Sequence, residues 1–329
     1  MITVKRVKKI YQDATKAAIS NVSFELDTGK WLTLVGESGC GKTTLLRCIA
    51  GLENLSGGDI SIHGDPVIGP QDKLVAGHPE AGLVHQDLEL FPNHKVKDIL
   101  NFKVRNYSKE YQEYRTEQVV KLCKLGTMLD KVPRELSGGQ QQRVAIAHAL
   151  IDEPALLLLD EPFSHLDIVT RRRLWKLLRR VVDETDTSII FVTHDAQEAL
   201  HYSDRMMMMK SGRVIQEGTA MDMYHRPATK YVMDFFGETN YFTIEDLKVI
   251  GLNKRKKGRY GLKAEYCSVK RGGKIKAEVK DRIFCGGYYI LELEIEGLKS
   301  SVFAYELGDS TSIGDNVKLS FDFSQLRFF

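Results

Sequence analysis

The chain has 329 residues, room for two domains of ordinary size, and its 47 Lys+Arg against 44 Asp+Glu leave a net charge of +3. That near balance argues against nucleic acid as the main partner, and no apolar run approaches the ~20 residues of a membrane-spanning helix. The opening MITVKRVKKIYQD has no signal-peptide core, and the five cysteines (Cys40, Cys48, Cys123, Cys267, Cys285) contain no CxxC pair and are odd in number, so a soluble cytosolic protein with reduced, mostly packed thiols is expected.

From Ile2 to about Thr28 two alternating pieces, ITVKRVKKIY and ISNVSFEL, flank a turn near Gln12–Lys16 and predict a small antiparallel β layer. Leu32–Val35 then reads as a buried strand, followed by GESGCGKTT (Gly36–Thr44) and a helix over Thr44–Ala50. G-x-x-x-x-G-K-[ST] at a strand-to-helix turn is a phosphate cradle. Backbone N–H groups around Gly36, Glu37, Ser38, Gly39, Cys40 and Gly41 can face phosphate oxygens, and the helix beginning near Thr44 adds its positive end. Lys42 can reach the β- and γ-phosphates, and the Thr43 hydroxyl can hold Mg²⁺. A bound nucleoside triphosphate is the expectation.

Ser56–Gly82 is rich in Gly, Pro and Asp and predicts hairpins and loops; Gly82–His85 reads as a short strand running into Gln86. From about Phe91 to Leu125 the pattern is helical and polar, with Tyr107, Tyr111 and Tyr114 expected as core or interhelical contacts. A helix is expected after Ser137. Ala155–Leu159 and Ser188–Thr193 read as strands of a parallel sheet buried on both faces. Between them Arg171–Glu184 puts Leu174, Leu177, Leu178, Val181 and Val182 on one stripe, with its arginines on a solvated face. Met206–Met209 reads as a buried strand entering a hairpin. Beyond about Asn240 the pieces KIKAEVK, YYILELEI, SSVFAYE and NVKLSF, punctuated by glycines, predict a small β-barrel or sandwich, with the basic run Lys254–Arg259 as a loop beside it or, alternatively, a nucleic-acid or anionic-lipid contact.

LLLLDEP (Leu156–Pro162) is an apolar strand ending in two carboxylates. Asp160 is placed to coordinate Mg²⁺, and Glu161 to polarise a water in line with the γ-phosphate. Between this strand and the glycine loop lies LSGGQ, where Ser137 is a candidate N-cap and Gly138 and Gly139 permit close backbone approach.

The ordered set GESGCGKTT, Gln86, LSGGQ, LLLLDEP, SHLD (Ser164–Asp167) and FVTHD (Phe191–Asp195) resembles the nucleotide-binding subunit of ATP-binding cassette (ABC) transporters over about residues 1–235. The resemblance implies an α/β fold with a P-loop NTPase core: a parallel sheet, an antiparallel β subdomain and a helical subdomain at about 87–150. It implies ATP and Mg²⁺, and two copies paired head to tail, so that Ser137, Gly138, Gly139 and Gln140 of one copy meet ATP held by the other. Tyr11 matches the adenine-stacking aromatic, Gln86 the glutamine near Mg²⁺ or the attacking water, Asp167 the dimer seam, and His194 the histidine at the γ-phosphate. His165 and His148 depart from the family pattern, outside the chemical positions. The region after about residue 240 resembles, more loosely, the OB-like transport-associated domain of importer ATPases, giving expected domains at 1–239 and 240–329.

That branch implies two membrane permease subunits, an extracytoplasmic solute-binding protein, and a place on the inner face of the cell membrane. The transported solute would be a sugar, a polyamine, ferric iron or an oxyanion. The competing reading is a soluble cassette ATPase acting on nucleic acid or ribosomes.

Overall fold

The computed structural model describes residues 1–12, 14–270 and 272–329, which separate into two compact units, Met1–Ala220 and Met221–Phe329.

The first unit begins with β1 (Ile2–Lys9) and β2 (Ile19–Leu26), whose alternating apolar residues Ile2, Val4, Val7, Val22, Phe24 and Leu26 are buried on one face. With β4 (Gly57–Ile62) and β5 (Asp65–Pro66) they form an antiparallel sheet in the order β2-β1-β4-β5. The strands β3 (Trp31–Val35), β7 (Leu156–Asp160) and β8 (Ser188–Thr193) are buried at every position, as uninterrupted apolar runs require. They join β6 (Ala81–Val84), β9 (Met206–Lys210) and β10 (Arg213–Gly218) in a six-stranded sheet ordered β10-β9-β3-β8-β7-β6. All its pairings are parallel except the β9–β10 hairpin.

Alternation along these strands feeds two cores. Trp31, Leu157, Leu159, Ile189 and Phe191 pack toward a helical layer. Leu32, Leu34, Leu156, Leu158, Ile190 and Val192 pack on the opposite side with α1 (Lys42–Ile49) and the antiparallel sheet. The helical layer contains α2 (Val96–Val104), α3 (Lys109–Cys123), α4 (Gly138–Leu150) and α5 (Ile168–Glu184). Burying α5's stripe of Leu174, Leu177, Leu178 and Val181 contributes on the order of 1.5–3 kcal/mol per side chain before entropy is subtracted. α6 (Ala196–Tyr202) follows β8. Met206–Met209 are wholly buried and lead into the hairpin, as the sequence implies.

Two expectations need correction. Tyr107 and Tyr114 are not core residues: both are more than half exposed, Tyr107 in the connection between α2 and α3, and Tyr114 on the face of α3 away from the buried Arg115, Val119 and Cys123. The Tyr111 ring lies tilted against that of Tyr107, with centroids 4.8 Å apart, and its hydroxyl donates to Glu153 Oε2. The arginines of α5 are not simply solvated either, since Arg171, Arg179 and Arg180 pair with Glu198, Asp204 and Glu184.

The second unit starts before the composition shift at 240. The helices α7 (Ala220–His225) and α8 (Lys230–Phe235) are tied to strand β12 (Tyr260–Lys263) and the turn after it. Lys263 Nζ donates to the carbonyls of Met233 and Phe236, and the Tyr224 hydroxyl to Glu265. A five-stranded antiparallel sheet (267–269, 316–321, 275–284, 289–294 and 302–306 in spatial order) curls until its outer strands approach, a nearly closed barrel around Val279, Leu291, Leu293 and Ala304.

Candidate nucleotide-binding site

The loop after β3 curls because its glycines sit where side chains have no room. Gly36 has φ +146°, and a Cβ there would lie 2.3 Å from the Met209 carbonyl oxygen. At Gly41, φ +105°, a Cβ would meet the Ala18 carbonyl oxygen at the same distance. Gly39 has nothing within 4 Å, leaving the loop open on that side. Glu37, Ser38 and Thr43 are exposed, Thr44 is half-buried, and Cys40 is buried. Burial pushes the Cys40 thiol up against the pull of Lys42, which keeps it protonated and unreactive. Lys42 is only 5% exposed and donates to the carbonyls of Gly36 (2.7 Å) and Glu37 (2.8 Å). Its ammonium is thereby held along the loop, in position to exchange carbonyls for phosphate oxygens.

The sheet order brings the distant motifs to one edge. β8 separates β3 from β7, so His194, Asp160 and the glycine loop emerge side by side, and β6 delivers Gln86 next to β7. The Thr43 hydroxyl donates to Asp160 Oδ1 at 3.1 Å. Glu161 has φ +49°, a conformation that is rare for a non-glycine residue. It is held there by its N–H on the Val192 carbonyl and by the Ser164 hydroxyl on its own carbonyl. The resulting turn brings its carboxylate to His194 and Gln86: Oε1 lies 2.8 Å from His194 Nδ1, and Oε2 accepts from Gln86 Nε2 at 3.3 Å. These residues, with His165 and Arg171, line a pocket of about 240 Å³.

Asp160 has an acidity shifted by its place at the end of β7. Burial raises its carboxyl pKa, Glu161 adds to the rise, and the Thr43 hydrogen bond opposes it. A carboxyl with a raised folded-state pKa contributes nothing to stability below its unfolded value and costs stability as pH rises through the folded value. Asp160→Asn should therefore raise the melting temperature of the nucleotide-free chain at neutral pH. The difference should close in acid, and Mg²⁺·ATP should stabilise the variant less than the parent. A lower melting temperature for the variant at neutral pH would contradict this reading of Asp160.

Ser137 and Gly139 lie at the start of α4. Ser137 N–H donates to Gln140 Oε1 at 3.0 Å, so Gln140 caps its own helix. Gly138 has open space around it, whereas a Cβ at Gly139 would meet Thr170 Cγ2 at 2.3 Å. One glycine of the pair is thus required within the chain, by the approach of α5. Asp167 N-caps α5, accepting from the N–H groups of Val169 and Thr170 and from the Thr170 hydroxyl. That hydroxyl bond, with the backbone bonds beside it, holds its carboxyl pKa below the usual range. Tyr11 is exposed, with Lys9 Nζ 4.8 Å from its ring, in the turn whose far end places Ala18 against Gly41. His165 is exposed at φ +59°. His148 is half-buried, and its surroundings push its pKa down to about 4, so it is neutral at physiological pH.

Two supporting residues, Arg171 and Glu198, lie outside every motif. Arg171 Nε donates to the Leu166 carbonyl at 2.8 Å, and its Nη1 pairs with Glu198 at 3.2 Å. Glu198 in turn accepts from the Thr193 hydroxyl at 2.6 Å. This chain of bonds ties the Ser164–Asp167 turn to the segment carrying His194. The signal available in the sequence was an N-cap residue, Asp195, three positions before Glu198; the burial of that glutamate is visible only in the structure.

The donors fit the ligands that the motifs imply. Thr43, Asp160 and Gln86 offer only hard oxygens, as Mg²⁺ prefers, and the open loop with a held ammonium suits a phosphate chain. A parallel sheet with a glycine cradle and an acidic pair at one edge is the architecture of a P-loop NTPase.

Comparison with known proteins narrows the class. The ABC transporter family model matches residues 19–164, and a model described as an AAA domain, putative AbiEii toxin of a type IV TA system, matches residues 132–200. The chain is 40% identical over 245 residues to the spermidine/putrescine import ATP-binding protein PotA of Roseobacter denitrificans, covering 74% of this chain and 66% of that one. It is also 40% identical over 258 residues to the Fe(3+) ions import ATP-binding protein FbpC of Rhizobium etli, covering 76% and 72%. Among solved structures, a dimeric ATP-binding cassette in a post-hydrolysis state bound to ADP and Pi superposes with a TM-score of 0.58 at 28% identity, covering 67% of this chain and 99% of that one. The chain belongs to the ABC transporter family of ATP-binding proteins. It spans about two thirds of the length of the polyamine-import relative.

Proposed function

We propose that this chain is the ATP-hydrolysing subunit of an ABC importer, working as a head-to-tail pair on two membrane permease subunits at the cytoplasmic face of the cell membrane. The observation that carries the hydrolytic part is the Glu161 carboxylate pinned between His194 and Gln86, beside the Thr43–Asp160 bond.

In this reading Lys42 and the loop N–H groups of residues 36–44 hold the phosphates, and Tyr11 stacks on adenine. Thr43 and Asp160, with Gln86, would hold Mg²⁺, which would supply positive charge against the phosphate chain. Glu161 accepts the proton of the attacking water, and His194 fixes the carboxylate and reaches toward the γ-phosphate. Ser137, Gly138 and Gly139 face the nucleotide of the second copy, with Asp167 at the seam. Positioning and charge stabilisation carry most of phosphoryl transfer, so the rate depends on both halves being closed.

Two relatives named for polyamine and ferric-ion import support an importer over a soluble cassette acting on nucleic acid, as does the near-zero charge balance. The second unit, barrel-like, is read as an OB-like transport-associated domain. The solute class is that of polyamines, ferric iron, sugars or oxyanions, delivered by an extracytoplasmic binding protein. Purification of the native complex should yield two hydrophobic permease subunits, with ATPase stimulated by a solute-loaded binding protein. ATPase stimulated by RNA in the absence of membrane would overturn the importer.

A further inference from the structure

A cavity of about 450 Å³ lies between the end of α3, the start of α4 and the middle of α5, and shares no lining residue with the pocket around Glu161. Its walls carry five cations, Lys124, Arg143, Arg173, Lys176 and Arg180, and no carboxylate. The whole chain has a net charge of only +3, so this is a local concentration of one sign. Among the described residues only Arg180 of the five has an ion-pair partner, Glu184 at 3.0 Å. Arg143 donates to the Lys124 carbonyl, which draws α4 toward the end of α3 and leaves its charge uncompensated.

The arrangement follows from the sequence of α5. Arg173, Lys176 and Arg180 recur at helical spacing, so they rise as one row beside the buried Leu174 and Leu177. Those leucines and the fully buried Cys123 make an apolar floor. Ser137 and Gly139 complete the wall with the first turn of α4, a thirteen-residue helix whose N-terminal end adds positive potential. A recess with low-dielectric walls and one sign of charge focuses its field inward and draws counter-charge. Its volume is within the range of small-molecule sites, and three guanidinium forks suit phosphate oxygens.

We propose that this cavity binds a small soluble metabolite bearing two or more phosphate groups, with Arg143 and Arg173 gripping it from α4 and α5. The first turn of α4 is part of the wall, so occupancy would brace the Ser137–Gly139 segment against α5. The importance of that bracing for turnover rests on the proposed function, whereas binding itself does not.

Calorimetric titration of the full chain with inorganic pyrophosphate tests the site without ATP hydrolysis. The parent should bind two per chain, one in the glycine loop and one in this cavity. Lys42→Ala should keep the cavity site. Arg173→Glu/Lys176→Glu, at two exposed positions, should remove it, weakening that step by about tenfold or more. The charge-keeping pair Arg173→Lys/Lys176→Arg should restore it.

The proposal is overturned if Lys42→Ala alone abolishes all pyrophosphate binding, or if the double charge reversal leaves two sites. Sedimentation with phosphatidylglycerol vesicles distinguishes the other source of phosphate. Vesicle binding that requires Arg173 and Lys176, with no pyrophosphate step in the cavity, would assign it to a lipid headgroup and overturn the soluble ligand.

Discussion

Glu161→Gln should bind ATP, hydrolyse it slower by about 10²–10⁴-fold, and accumulate as an ATP-bound pair of chains. The amide has the carboxylate's shape, and its oxygen can still accept from either His194 or Gln86. The turn at φ +49° rests on the backbone N–H and the Ser164 hydroxyl bond, neither of which involves the side chain. Folding and nucleotide affinity should survive while the proton acceptor is lost. Single-turnover hydrolysis and size-exclusion chromatography with Mg²⁺·ATP measure both halves of the expectation. Turnover within a few-fold of the parent would remove Glu161 as the base.

Gly139→Ala should also abolish most activity, by about 10²-fold if backbone placement at a reacting site shifts by an ångström. The structure gives one reason for this glycine and the proposed pairing a second, and they can be separated. Within the chain, a Cβ would strike Thr170 Cγ2 at 2.3 Å. Between chains, the proposed pairing needs a bare backbone against the other copy's nucleotide. Thr170→Ser removes the obstructing methyl and keeps the hydroxyl that bonds Asp167. In Gly139→Ala/Thr170→Ser the clash inside the chain is gone, so thermal stability should return toward that of the parent. Activity should stay low, because the proposed pairing depends on the exact placement of the Ser137–Gly139 backbone against the other copy's nucleotide, which a repacked alanine does not restore. Recovery of both together would mean that Gly139 serves packing alone.

The phosphate loop and the sheet strands were legible because their signals are local. A fully apolar run is a buried strand wherever it lies, and GESGCGKTT dictates its own turn. The companions of Glu161 were legible only through the order of the motifs. Gln86 and His194 are 75 and 33 residues away, and nothing near either one specifies a carboxylate neighbour. Arg171 was misread because helical periodicity assigns a charged side chain to solvent, whereas its path to Leu166 and Glu198 depends on how α5 and α6 cross. The core half of the expectation for Tyr107 and Tyr114 failed for the opposite reason: aromatic residues at helical spacing suggest a core, but Tyr107 precedes α3, and the buried stripe of α3 is Arg115, Val119 and Cys123. Composition marks a shift at 240, whereas the compact unit that holds the barrel begins at Met221, with α7 and α8 bonded to β12 and the turn after it through Lys263 and Tyr224.

The phosphate loop is, on this account, half of a catalytic site, completed by Ser137 and Gly139 of a second copy. The most direct test is the specific ATPase rate of the isolated chain measured across a range of protein concentrations. The account predicts a rate per chain that rises with concentration and saturates as pairs form, while ATP binding to the dilute chain persists. A rate per chain that stays constant through the range in which the pair dissociates would contradict it.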